Sequence, residues 1–262
     1  MYIAWEGKAM GKTAAVLRYE YKMLFLHPAG WGVLAAATAL TLLDNFPSAG
    51  NLARLEFLDE PAYFVYRIMN FDSLILLFGL TFLLAGRIPL DARTGMRPLF
   101  MASPLHKRDY AAGKLLSGFF YVFTMQCLFL FLNTAVYCAG APSAGAPAAC
   151  VIPLAKAVFG CAAPVSLFVG VCSVALPGLI DLRLFYILAA ALFGFNAAYT
   201  GSAEAMPFYL ITSGDLVRLI WTHPRWPSVP AASVLANALF LVGSAAAAAC
   251  LLLAARKYWR SE

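Results

Sequence analysis

Six apolar runs, each nearly free of charge, decide what this chain can fold into. They cover about residues 29–46, 63–86, 115–139, 151–176, 184–200 and 231–255. A helix needs roughly 20 apolar residues to cross about 30 Å of hydrocarbon, and most of these runs approach that length. Alternating apolar and polar residues, the mark of half-buried strands, do not recur. Charged residues make up 12% of the chain, against about 25% in soluble domains, which is too little polar surface to cover a water-soluble globule. The expected fold is all-α: a polytopic membrane protein with six transmembrane helices in a single domain, residues 1–262, without an internal repeat.

The cationic residues orient these runs. Segment 87–114 holds six of the nineteen Lys and Arg and lies between two apolar runs, as a cytoplasmic loop does. With both termini also inside, the inner segments collect Lys8, Lys12, Arg18, Lys22, the loop's six, Arg183, Arg256, Lys257 and Arg260, fourteen in all. The net charge of +6 is thus explained by sidedness, and no nucleic-acid partner is expected. Within residues 1–28, Met10, Ala14, Leu17, Tyr21 and Leu24 form a helical stripe, with Lys8, Lys12, Arg18 and Lys22 largely off it. That is an amphipathic helix suited to the cytoplasmic interface. The run Trp31 to Leu43 is not read as a signal-peptide core, because about thirty residues precede it. The acidic stretch Asp44 to Pro61 and the aromatic, proline-punctuated segment 201–230 are expected outside, the latter with one or two short helices between Phe208 and Trp221.

Catalytic patterns are missing from the sequence. It has no His-Glu-x-x-His and no Gly-x-Ser-x-Gly, and His27, His106 and His223 all fall at run ends or in loops. Gly7 to Thr13 ends like a phosphate-binding loop, but Glu6 stands where that motif needs its first glycine. No catalytic, cofactor or metal residues are therefore expected, and ATP and Mg would be bound by another chain. The polar residues within runs are Asp72, Gln126, Asn133, Lys156, Asn196 and Asn237. Buried charge is costly in a membrane, so they either line a translocation path or hydrogen-bond between helices, with Asp72 pairing to Lys156 or Arg67. Cys138 and Cys150 flank the exterior Gly140 to Pro147 loop, as free thiols or as a disulfide if the compartment is oxidising.

The basic loop resembles the signature region of type-2 ABC transporter permeases, the membrane subunits of ABC exporters. The resemblance rests on Asp91, Gly95, Leu99, Ser103-Pro104 and Gly113-Lys114, with Asp91 where the family usually has Glu. Arg18-Tyr19-Glu20-Tyr21-Lys22 and His27-Pro28 are similar to its elbow helix. The resemblance implies a coupling helix in loop 87–114 that seats in a cleft of a separate ATPase subunit, and a second permease subunit, the same or homologous, completing the path in the lipid bilayer of the cell membrane, here expected to be a bacterial inner membrane. Leu99, Phe100 and Met101 would then anchor the contact, Pro104 would start a helix, and Arg93, Arg97, Lys107 and Arg108 would complement acidic groups, alongside Asp91 and Gly95. Weakly charged, aromatic spans suit an amphipathic or hydrophobic cargo: a drug, antimicrobial peptide or lipid. The alternatives are a non-transporting immunity or sensor protein that binds a peptide through 201–230, and an intramembrane enzyme using Asp72, Lys156 or Glu204.

Overall fold

The structure, a computed structural model, describes residues 11–55, 57–96, 99, 102, 105–140, 147–198, 214–221 and 229–255, and every element among them is helical. Helix α1 (Lys12–Phe25) meets α2 (Pro28–Asn45) at 57°. The bend has a local cause. Pro28 has no N–H with which to continue α1, and the His27 ring caps α2 by accepting from the Ala29 amide at 3.3 Å. Trp31 donates from Nε1 to the Phe25 carbonyl at 2.7 Å and packs edge-on against the Phe25 ring, which holds the elbow.

After the short α3 (Ala49–Arg54), capped by Ser48, come four longer helices. These are α4 (Pro61–Asp91), α5 (Lys107–Gly140), α6 (Ala148–Gly178) and, later, α9 (Ala231–Ala254), each long and apolar enough to cross a membrane. Between α6 and α9 lie α7 (Leu182–Ala198) and α8 (Gly214–Ile220). The 34 residues of α5 reach about 50 Å, so its ends extend past the hydrocarbon. Among the described residues there are thus four helices long and apolar enough to span, or five spans if α1 and α2 count as one bent span. The run expected at 184–200 is a 17-residue helix as far as Ala198, shorter than the others.

Three of the long helices contain a widened π turn: Ile68–Asp72 in α4, Ala157–Ala162 in α6 and Leu239–Gly243 in α9. In α6 the widened turn lies between Pro153 and Pro164, where the missing amide donors disturb the regular ladder. The prolines therefore flank a local change of helical pitch. An inserted residue also rotates whatever follows by about 100°.

Polarity runs inside out. Phe131, Phe159, Ile187 and Leu239 are exposed, while Asn45, Asn70, Gln126, Asn133 and Ser166 are buried. That suits hydrocarbon outside and polar groups turned toward neighbouring helices within. At the centre, α5 and α6 touch backbone to backbone. A Cβ on Gly170 would lie 2.6 Å from the Phe119 nitrogen and 2.7 Å from the Gly118 carbonyl oxygen. Over its most apolar stretch α6 is 72% buried, whereas α9 is 22% buried and leaves a broad apolar face uncovered.

This packing makes a direct prediction. Gly170→Ala forces the α5–α6 backbones apart and lowers stability by about 1–3 kcal/mol, while Gly194→Ala, in open space, is neutral or stabilising by up to about 1 kcal/mol. Thermal unfolding of both variants in detergent measures the difference.

Candidate functional site

The basic segment begins and ends in a buried cluster of charges. Arg87 and Asp91 sit on the last turns of α4, Lys114 and Tyr110 on the first turns of α5, and Glu20 on the inner face of α1. The Arg87 guanidinium donates to the Glu20 carboxylate at 2.7 Å. The Lys114 ammonium, 1% exposed, lies 2.6 Å from Asp91 Oδ2 and 3.2 Å from Glu20 Oε1, and donates to the Arg87 carbonyl at 3.1 Å. Three donors therefore meet three acceptors. Tyr110 donates its hydroxyl proton to Asp91. Two carboxylates and two cations cancel, which is how the buried Glu20 and Lys114 keep their charges beside the part-buried Arg87 and Asp91.

Local sequence explains the approach of the three helices. Gly113 has no side chain, and a Cβ there would lie 2.6 Å from Val16, so α1 can lie directly along α5. On α1 the inner face carries Thr13, Val16, Glu20 and Leu24, with Thr13 donating to Asp109 at 2.8 Å. Of the apolar stripe expected at Met10, Ala14, Leu17, Tyr21 and Leu24, Leu24 is buried and Tyr21 packs on the core and donates to Thr124 at 3.0 Å, whereas Ala14 is exposed, Met10 lies outside the described residues, and Glu20 is drawn inward by its cations. Lys107 reaches the other way and donates to the Ala255 carbonyl at the end of α9, at 2.5 Å. The segment is thus tied to α1, α4, α5 and α9.

The residues expected to contact an ATPase divide. Asp91 faces inward, and Lys107 is engaged with α9. Gly95 closes the helical stretch Arg87–Arg93 with φ of 69°, a left-handed conformation that favours glycine. Arg93 and Arg108 are exposed, and so is Leu99 at 63%. Arg97, Phe100, Met101 and Pro104 lie outside the described residues. Beside the cluster is a cavity of about 340 Å³, lined by His27, Arg87 and Arg93 together with Phe82, Leu182 and Tyr186.

Of the residues expected along a path, Asp72, Gln126, Asn133, Asn196 and Asn237 are buried within this chain and Lys156 is exposed, and they do not form one group. Asp72 accepts from Asn45 Nδ2 at 2.6 Å, and Arg67 donates to Asn45 Oδ1 at 2.5 Å. Asn45 therefore bridges the two ions, and Lys156, expected as a partner of Asp72, instead donates to the Ile220 carbonyl at 3.4 Å. Gln126 accepts from Ser166 across the α5–α6 contact at 2.6 Å. Asn133 and Asn196 donate to carbonyls one turn earlier in their own helices, and Asn237 is buried on α9. Asn45 and Ser166 escaped sequence reasoning because a single amide or hydroxyl in an apolar run carries no signal of its partner. Of the segment 201–230, α8 is described. It packs Ile220 onto Gly160 in the α6 π turn and sets Trp221 edge-on against Tyr66.

No family model matches this chain, and no curated protein or solved structure matches it either.

The charge cluster separates structural from ornamental ion pairs. Lys114→Met leaves two carboxylates facing one cation in a dry site and costs about 3–5 kcal/mol. Asp44→Ala removes an Arg54 pair whose side chains are 51% and 53% exposed, and costs at most about 1 kcal/mol. Chemical or thermal unfolding of the two variants in one detergent tests the ranking.

Proposed function

We propose that this chain is the permease subunit of an ATP-driven ABC exporter, with six spans, both termini in the cytoplasm, and segment 87–114 as the element that seats on a separate ATPase. The observation that carries this reading is the buried ion cluster: the segment's first and last charged residues are locked to α1, α4 and α5. A push on the segment is therefore delivered to three helices at once, as coupling requires. Its outward groups, Leu99, Arg93 and Arg108, are free to meet a partner, and the likeness to type-2 permeases supplies the partner's identity. In this reading α2 and α7 are the first and fifth spans, and the 201–230 segment lies outside. The sparsely covered face of α9 meets lipid or a second permease subunit. ATP and Mg belong to the ATPase, and this chain performs no chemistry of its own. The mixed basic and aromatic lining of the cavity beside the cluster supports an amphipathic or hydrophobic cargo.

The test is purification of the tagged chain from native membranes in mild detergent. A P-loop ATPase is expected to accompany it, and the combined Leu99→Ala, Phe100→Ala and Arg108→Ala variant is expected to lose that ATPase at least about tenfold, the scale of losing one or two anchoring contacts. Glu20→Gln, on the inner side of the cluster, is expected to keep the ATPase bound while lowering transport per ATP hydrolysed. Absence of any ATPase from the intact chain in several detergents overturns the reading.

A further inference from the structure

We infer that Cys138 and Cys150 form a disulfide in the folded protein, stapling the end of α5 to the start of α6. Their sulfur atoms are 3.4 Å apart, in thiol contact, against about 2.05 Å in a formed bond. Cys138 sits in the last turn of α5 and Cys150 in the first turn of α6, twelve residues apart in sequence. The other cysteines, Cys127, Cys161, Cys172 and Cys250, lie within the helical runs and make no such contact among the described residues. The pair is also set in an ordered frame. Tyr137, next to Cys138, is buried, stacks on Phe64 at 4.2 Å and donates to the Asp59 carbonyl. The staple would therefore hold α5, α6 and the chain entering α4 at one end of the bundle, opposite the end of α5 that carries the charge cluster.

The accessibilities set the order of reaction. Cys138 is partly exposed, whereas Cys150 is 3% exposed. A thiol oxidase carrying an exchangeable disulfide meets Cys138 first: the Cys138 thiolate attacks one sulfur of the oxidase disulfide, expelling the other as a thiolate and leaving a mixed disulfide. The Cys150 thiolate, already in contact, then attacks Cys138 Sγ and displaces the oxidase's remaining sulfur. Two protein thiols lose two protons and two electrons, and the oxidase disulfide is reduced to a dithiol. The buried cysteine never needs to meet the oxidant. The reaction does require that this end of α5 face an oxidising compartment, a requirement independent of any transport activity.

The experiment traps thiols in intact cells with acid and N-ethylmaleimide, then compares peptides with and without reduction by mass spectrometry. The expected result is a linked peptide joining Cys138 to Cys150 that disappears on reduction. Maleimide-polyethylene glycol added after reduction is expected to label two sulfurs in the wild type and none in either Cys138→Ser or Cys150→Ser, whose remaining partner cysteine is already blocked by N-ethylmaleimide. Alkylation of both cysteines before reduction overturns the proposal, as does linkage that forms only after an added copper oxidant. Because the wild-type measurement stands alone, a variant that fails to accumulate does not spoil the test.

Discussion

A lysine that is 1% exposed must have its charge met from every side, and the architecture around Lys114 is organised to do so. Two carboxylates and a backbone carbonyl surround its ammonium, and Arg87 balances the second carboxylate. In a region of low dielectric such a set is worth having only when complete, since each member is costly alone. These ion pairs tie α1, α4 and α5 into one mechanical unit. Any displacement of the basic segment must either move the three helices together or break an ion pair out of water.

The second constraint is how closely the helices approach. Small residues do here what apolar side chains do in a soluble core, because lipid offers no hydrophobic penalty to drive helices together. Gly113 admits α1 to α5, and Gly118 with Gly170 brings α5 and α6 into backbone contact. That close contact places Gln126 within reach of Ser166. The π turns add a further freedom, because each resets which face of a long helix looks inward. In α4 the π turn ends at Asp72, where the carboxylate meets Asn45.

Legibility in the sequence followed the kind of information involved. Pro28, with His27 before it, reads directly as a helix start, and the elbow follows. The prolines of α6 announce a disturbed helix, but nothing in α4 or α9 announces theirs, because a π turn depends on what packs against it. Asp72 was legible as a costly group that needed a partner, with Lys156 or Arg67 expected; Asn45, 27 residues earlier and not expected, stands between it and Arg67, while Lys156 is engaged elsewhere. Asp91 was legible as part of the loop's chemistry. Its inward direction was not, because Lys114 and Tyr110 compete for it with any outside partner.

By itself, then, the sequence determined that the chain is helical and apolar, where its long runs begin and end, and where its cations concentrate. Those properties are carried by local composition and spacing. Tertiary structure decided which charges meet. Glu20 and Arg87 are 67 residues apart, and Lys107 and Ala255 are 148 apart. Hydropathy is a one-dimensional property that says which face of a helix avoids water, while a salt bridge depends on which neighbour that face meets and at what rotation. Glycine contacts and π turns set that rotation, and with it the site.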